Sequence, residues 1–325
     1  MKIRVVTNCH KPAPIGGGDM STSYIVSMLL DAGHEVILHP TDQIGGAYPV
    51  DARCQVGQRF PQTIKTDCDV LFYYANNFCL QTERHAGRWE KFFAGARRRV
   101  MCLNWGIGDS TGNWFMRAWD EVIFLSTALA KQCSPRSISI HAPAVPLRPF
   151  QFIDHDYSAP VFVRHGKGNK WSNDTPKICD VILRELPDAR FVFMGCPIRL
   201  IAECTSLGFG GSIEAWAEYS ESPAALLAAG SCFIHPLPVD FTDQGPRVIV
   251  EAMASGLAVI ADNRDGAMDR VTPATGWLCN GPAHWRAAAR EIAQNPLILM
   301  EKGDAASERA HTEFDPQWWV DHIVS

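Results

Sequence analysis

Short apolar runs alternate with longer amphipathic segments through the first half of the chain. The apolar runs are rich in β-branched and aromatic residues, which favours strands, and the segments between them have helical spacing. The predicted strands are 3–7, 35–39, 70–74, 99–103 and 121–125, and the predicted helices are 20–32 and 89–96. Strands that alternate with helices are typical of a parallel sheet with crossover helices.

The same alternation starts again after a stretch that contains Pro143, Pro146 and Pro149, which indicates a linker near residues 146–158. The later elements are strands 161–164, 191–194, 232–235 and 257–261, and helices 176–186 and 247–255. A chain of 325 residues is long enough for two domains. We therefore predict an α/β fold with two doubly wound, Rossmann-like domains, residues 1–150 and 151–302, followed by a terminal segment, 303–325.

Composition and charge exclude several classes of protein. The chain is 46% hydrophobic and 20% charged, which is typical of a globular protein. Its net charge of −5 argues against a nucleic-acid partner, which usually selects a basic surface. No apolar run approaches the roughly 18 residues of a membrane span, and the basic N-terminus reads as a strand rather than a signal peptide. Peripheral contact with a membrane stays open.

The chain has 11 cysteines, an odd number, and no two are spaced as Cys-x-x-Cys. Several of them fall within apolar, strand-like runs. This pattern indicates reduced, buried thiols in a cytoplasmic protein and argues against a zinc site.

Two acidic residues, Asp243 and Glu251, lie eight positions apart around a predicted helix start. Pro246 is tolerated in the first turn of a helix because its missing N–H would be unpaired there anyway. Gly256 is positioned to end the helix, and the strand 257–261 follows. We expect Asp243 in the loop and Glu251 in the helix, both at the edge of one cleft. The alternative is an ordinary loop-helix-strand unit with two solvated acids.

A second group of charged residues follows the strand 161–164 directly. Arg164 and Lys170 are separated by glycines, so they can fold around a diphosphate, with Lys167 as an alternative to Lys170. His165, next to Arg164, is a further candidate for contact with phosphate. The alternative is a solvated basic loop.

A third motif, Gly16-Gly17-Gly18, lies between the first strand and the first helix. Glycines there allow a ligand to approach the backbone, and free N–H groups at the start of a helix attract anions. The run is not Gly-x-Gly-x-x-Gly, and no acid follows at the expected place, which disfavours a nicotinamide site.

Together these motifs resemble retaining glycosyltransferases of the GT-B fold, especially glycosyltransferase family 4. The family pattern is Glu, seven residues, Glu, then Ala-Met-Ala, a small residue and Gly. Here Asp243 replaces the first Glu, Glu251 is the second, and Ala-Met-Ala-Ser-Gly follows it. A Gly-Gly loop leading into a helix that ends at Gly33-His-Glu-Val is similar to the family's opening.

The resemblance implies a role for each candidate residue. Glu251 would accept hydrogen bonds from the donor's ribose, and Asp243 would hold a hydroxyl of the transferred sugar. The other donor-binding candidates are Arg164 and Lys170 at the diphosphate, His235 at a strand end, Gly17 and Gly18 in the opening loop, and Gly245 and Arg247 at the helix start. Arg247 either replaces the N–H donor that Pro246 lacks or faces solvent. Asn104 falls where many members carry a catalytic His, and its amide binds a hydroxyl but does not titrate.

The resemblance also implies two facing domains, with the acceptor on the first and the nucleotide sugar on the second. The terminal segment, which carries Trp318 and Trp319, would then cross back to the first domain, although a helix that packs on its own domain explains the pattern equally well.

The predicted function is transfer of a sugar from a nucleotide-diphosphate sugar to a hydroxyl acceptor, which is a small molecule, a glycan or a lipid. The resemblance implies retention of configuration, and we expect transfer without a metal or any other cofactor. Two alternatives stay open: a GT-B nucleotide-sugar epimerase, and a non-catalytic protein that binds nucleotides or nucleotide sugars.

Overall fold

The computed structural model describes residues 1–7, 17–40, 51–57, 67–75, 90, 93–104, 113–132, 137–150, 157–218 and 220–325. The chain divides into two compact units. The first consists of Met1–Val145 together with Asp315–Ser325, and the second is Pro146–Phe314. The second unit therefore extends past residue 302, where the sequence predicted its end.

The described part of the first unit is built on a seven-stranded sheet in which neighbouring strands are parallel. Its strands are β1 (Lys2–Thr7), β2 (Glu35–Pro40), β3 (Gln55–Val56), β4 (Cys68–Ala75), β5 (Ala96–Leu103), β6 (Glu121–Phe124) and β7 (Ile138–Ile140). Their order is β3-β2-β1-β4-β5-β6-β7. The five predicted strands are confirmed. The sequence missed β3 and β7 because edge strands this short carry little apolar pattern.

The helices described in this unit are α1 (Gly17–Asp31), α2 (Asn113–Arg117), α3 (Thr127–Ala130) and α11 (Gln317–Val324). Helix α1 packs against the sheet through buried Ile25, Val26 and Leu29. Gly33 follows it with φ +80°, a conformation that favours glycine. The helix predicted over 89–96 is wrong at its end, since Ala96 is the first residue of β5.

The described part of the second unit contains a six-stranded parallel sheet. Its strands are β8 (Val161–His165), β9 (Arg190–Met194), β10 (Ile213–Trp216), β11 (Cys232–His235), β12 (Ala258–Asp262) and β13 (Gly276–Cys279), in the order β10-β9-β8-β11-β12-β13. Its helices are α4 (Thr175–Glu185), α5 (Ile198–Ser206), α6 (Pro223–Ala228), α7 (Arg247–Ala254), α8 (Ala267–Arg270), α9 (Pro282–Gln294) and α10 (Ile298–Glu313). These two parallel sheets confirm the predicted α/β fold class.

Both sheets have a point at which the strand order reverses, between β1 and β4 in the first unit and between β8 and β11 in the second. On each side of such a point the crossover connections run in opposite directions, which leaves a crevice at the carboxyl ends of the two strands. Ligands of open α/β sheets bind in that crevice. The fold alone therefore singles out the residues that follow β8 and β11.

The terminal helix α11 belongs to the first unit. Trp319 is fully buried, packs against Phe72 and Tyr74 of β4, and donates a hydrogen bond from Nε1 to the Ala142 carbonyl at 3.0 Å. Trp318 stacks on the His141 ring, with ring centres 4.0 Å apart. The predicted terminal segment thus consists of two helices, and α10 lies in the second unit.

Candidate active site

Arg164 lies near the carboxyl end of β8, and its side chain is completely buried. Its Nη1 donates to the Pro236 carbonyl at 2.5 Å and its Nη2 to the Lys170 carbonyl at 2.6 Å, while the guanidinium lies 4.7 Å from the centre of the Trp171 ring. Burial lowers the pKa of Arg164 to about 10, so the group stays charged at neutral pH. Two of its N–H groups therefore brace the loops that follow β8 and β11.

Lys170 and Asp243, which lie far apart in sequence, form an ion pair. The Nζ of Lys170 donates to Asp243 Oδ2 at 2.8 Å. The lysine side chain is 33% exposed and the aspartate side chain 8%. The structure thus joins a predicted phosphate cation to the predicted sugar-binding acid and leaves the cation accessible.

His235, the last residue of β11, is buried beside this pair, with its Nε2 3.9 Å from Asp243 Oδ2. Burial lowers the pKa of His235 well below its ordinary value, and the nearby charges of Arg164 and Lys170 lower it further. The imidazole is therefore neutral at physiological pH. It can donate or accept a hydrogen bond, but it adds no charge to the site.

Glu251 lies in α7 and is also buried. Arg247, one helical turn earlier, donates to its Oε1 at 3.3 Å, and His165 Nε2 lies 3.3 Å from its Oε2. Burial alone would raise the pKa of Glu251, but His165 and Arg247 outweigh it, and the net pKa is lowered. The structure thus pairs Arg247 with the predicted ribose ligand and does not leave it facing solvent.

A second loop fixes the backbone at Asp243. The Asp243 amide donates to Asp265 Oδ2 at 3.3 Å, and the Gly266 amide donates to the Asp243 carbonyl at 3.1 Å. Asp265 has φ +52°, and a Cβ on Gly266 would lie 2.2 Å from the Gln244 carbonyl oxygen. Only glycine fits at 266, because the two loops touch through their backbones.

Asp262 and Arg264 hold the adjoining loop and were not predicted as site residues. Asp262 Oδ2 accepts a hydrogen bond from the Leu237 amide at 2.7 Å, and Arg264 Nη1 donates to the Val239 carbonyl at 2.8 Å. The signal in the sequence is a polar run directly after a buried strand, at the edge where ligands bind. Their partners are backbone groups, which the sequence cannot identify.

Several buried polar atoms in this cluster have no hydrogen-bond partner within the described part of the chain. They are Arg164 Nε, His165 Nε2, both ring nitrogens of His235, and Glu251 Oε2. An unpaired buried polar group costs about 1–3 kcal/mol. Such a concentration at a strand-order reversal is typical of a site that meets polar groups of a ligand.

The family model described as glycosyl transferases group 1 matches residues 172–295, which include Asp243 and Glu251. The chain is a glycosyltransferase with a family 4 domain. Enzymes of this kind use a nucleotide-sugar donor. The match begins just after Lys170, so Arg164, His165 and Lys170 enter the site through its geometry and not through the family match. No curated protein matches the chain.

Solved structures with a similar fold include HepE from Anabaena in complex with UDP-glucose, with a TM-score of 0.72 and 16% identity over 99% of this chain and 98% of that one. Sucrose-phosphate synthase from Thermosynechococcus elongatus has a TM-score of 0.71 and 14% identity over 99% and 97%. A TarM variant from S. aureus, in complex with UDP and other ligands, has a TM-score of 0.72 and 9% identity over 100% and 99%. Likeness at such low identity shows the shared GT-B fold.

Gly245 lies in the second unit, two residues before α7, and the remaining predicted site residues of this glycosyltransferase lie in the first unit. Gly17 and Gly18 form the first turn of α1, where backbone N–H groups are available to an anion. Gly16 lies outside the described residues. Asn104 directly follows β5, is half-buried, and donates its backbone N–H to the Ala75 carbonyl at 3.4 Å. Each of these residues is at the carboxyl edge of the first sheet.

The described residues lack two kinds of feature. They hold no cluster of three or more His, Cys, Asp or Glu side chains placed to bind a metal ion. None of the helices within them has the length and apolar character that a membrane crossing requires.

Proposed function

We propose that this glycosyltransferase moves a sugar from a nucleotide-diphosphate sugar to a hydroxyl acceptor, with retention of configuration and without a metal. The observation that carries the proposal is the cluster of buried polar groups at the β8–β11 strand-order reversal, with the Lys170–Asp243 pair beside it. It combines fixed cations, carboxylates and a neutral imidazole, which match a diphosphate and a polyhydroxylated sugar.

The cations serve the leaving group. When the bond from the anomeric carbon to the diphosphate breaks, negative charge grows on the phosphate oxygens. Lys170 is partly exposed, and its flexible side chain can contact the phosphate oxygens. Arg164 is buried and supplies a fixed positive charge. Gly245 and Arg247 add the start of α7, whose dipole favours an anion. The acceptor oxygen bonds to the anomeric carbon on the same face, and its proton passes to the leaving phosphate.

The carboxylates recognise hydroxyl groups. Glu251 binds the ribose, and Asp243 binds a hydroxyl of the transferred sugar, with His235 beside it as a neutral hydrogen-bonding group. Asp243 pairs with Lys170, so the acid that would bind the sugar contacts the cation that would bind the diphosphate. Asn104, Gly17 and Gly18 belong to the other unit, to which we assign the acceptor.

Uridine is the first base to test in the donor, because the similar HepE and TarM structures contain UDP-glucose and UDP, respectively. The test incubates the protein with UDP-, ADP- and GDP-sugars and a panel of hydroxyl acceptors, and measures free nucleoside diphosphate and glycosylated product. We expect acceptor-dependent release from one donor class and an α-linked product from an α-linked donor. Release of no nucleoside diphosphate from any donor, or an inverted product, would contradict the proposal.

Lys170→Met tests the diphosphate role within that assay. A charged hydrogen bond contributes roughly 1.5–3 kcal/mol, so turnover should fall about ten- to a hundredfold. Lys177→Met is the matched control, because Lys177 is a solvent-facing lysine in α4 whose side chain is 69% exposed. Equal activity of the two variants would remove Lys170 from the mechanism.

A further inference from the structure

The Glu251 carboxylate is held from two sides by different elements. Arg247 reaches Oε1 from within α7 itself, so that contact moves with the helix. His165 comes from the end of β8 and places Nε2 3.3 Å from Oε2. Neither His165 Nε2 nor Glu251 Oε2 has a hydrogen-bond partner in the described chain, and both atoms are buried. The two atoms therefore face each other, and neither has another hydrogen-bond partner among the described residues.

The two residues at the end of β8 have separate tasks. Arg164 contacts Trp171 and the backbone at Pro236 and Lys170, whereas the His165 ring packs against Phe233 and faces Glu251. Successive residues of a strand point to opposite faces, which explains why their contacts differ. In the sequence, the position of His165 beside Arg164 suggested contact with phosphate. In the structure, its ring faces Glu251 instead.

We infer that His165 is a positioning residue for nucleotide recognition: it fixes Glu251 from inside the protein so that the carboxylate meets the ribose hydroxyls. This inference rests on the proposed function. A glutamate side chain has three rotatable torsions, and ordering them costs free energy that a preorganised site does not lose on binding. Arg247 donates to Oε1 and His165 faces Oε2, and each carboxylate oxygen has a second lone pair that can accept from a ribose hydroxyl.

The test compares the affinities of UDP and 2′,3′-dideoxy-UDP by calorimetry, because only UDP carries the hydroxyls that Glu251 would bind. In the unmodified protein we expect UDP to bind about tenfold or more tightly than the dideoxy form. His165→Leu keeps the bulk of the ring but removes Nε2. It should weaken UDP about tenfold and leave the dideoxy affinity almost unchanged, so that the preference for UDP disappears.

Two polar variants serve as controls and keep the test informative if His165→Leu folds poorly. Glutamine places its amide nitrogen near the position of Nε2, whereas the shorter asparagine places it near Nδ1. His165→Gln should restore the preference for UDP, and His165→Asn should not. An equal loss of affinity for both nucleotides, or an unchanged preference in His165→Leu and His165→Asn, would overturn the inference.

The outcome separates this inference from the proposed function. If the unmodified protein binds ADP or GDP in place of UDP, the comparison uses that nucleotide and its dideoxy form. If it binds no nucleoside diphosphate, the proposed function fails and the inference fails with it. Binding with a ribose preference that is independent of His165 overturns the inference alone.

Discussion

At the scale of single residues, the charges of the site balance one another more closely than the sequence indicates. Lys170 pairs with Asp243 and Arg247 with Glu251, and each pair joins a predicted phosphate-side cation to a predicted hydroxyl-binding acid. Beside the first pair lies His235, buried and neutral. A donor entering this site must therefore compete with contacts that the protein already makes.

The buried imidazole of His235 should make stability depend on pH. The unfolded chain binds a proton on this histidine near its ordinary pKa of about 6.5, and the folded chain does so only well below it. The folded state therefore loses stability as the pH falls below about 6.5. Relative to His235→Leu, the protein should lose about 1.4 kcal/mol of unfolding free energy between pH 7.5 and 5.5, measured by urea denaturation.

The comparison with His235→Leu removes the pH response of every other group that the two proteins share. Glu251 titrates in a lower range, because its lowered pKa contributes stability that is lost only below its ordinary value. A stability difference that stays constant from pH 7.5 to 5.5 would mean that His235 takes up its proton in the folded protein over the same pH range as in the unfolded chain.

At the scale of elements, one close contact fixes the helix that carries Glu251. Helix α7 ends at Ala254, and Gly256, which has φ +78°, lies in the short turn between this helix and strand β12. Helix α10 packs across this turn at Gly303, where a Cβ would lie 2.1 Å from the Gly256 carbonyl oxygen. The glycine thus allows the two backbones to approach each other beside α7.

Gly303→Ala should therefore destabilise the second unit, although alanine in a helix interior is normally better than glycine by about 1 kcal/mol. The clash involves backbone, which cannot move aside like a flexible side chain, and overpacking of this kind costs roughly 1–3 kcal/mol. After the helix preference of alanine is subtracted, we expect a net loss of up to about 2 kcal/mol by urea denaturation. Gly211→Ala is the control, since a Cβ there meets nothing within 4 Å. A Gly303→Ala protein as stable as that control would contradict the packing argument.

At the scale of the whole molecule, the two units repeat one construction, a parallel sheet whose strand order reverses near its centre. The chemistry of the donor side is concentrated in the second unit, where cations and acids from β8, β11 and α7 converge. The same unit contains the segment that matches the glycosyl transferases group 1 model.

A chelator experiment tests the whole chain at once, including the segments outside the described residues. If Arg164 and Lys170 supply the positive charge for the leaving diphosphate, as we propose, turnover should persist in excess EDTA. The assay measures product with EDTA, and again after Mg²⁺ or Mn²⁺ is added back. Loss of turnover that either metal restores would overturn the proposal of metal-independent transfer.

Much of the fold was predictable because it depends on local pattern. Buried parallel strands form continuous apolar runs, and those between 161 and 261 were found within a residue or two of their observed ends. Edge strands and the short helices between them were missed, since little of their surface is buried. The candidate site residues were chosen from a spaced motif, Asp243 and Glu251, and from cations after a strand, and their roles stay predictions.

The α/β class, the two sheets and the chemical types of the candidate site residues could be predicted from the chain alone, since they follow from periodicity and from residues close together in sequence. Which side chains form ion pairs depends on the three-dimensional fold. Lys170 meets Asp243 across 73 positions, and His165 meets Glu251, because strand order brings the ends of β8 and β11 and the start of α7 together. Such contacts depend on sheet topology, which local periodicity does not specify.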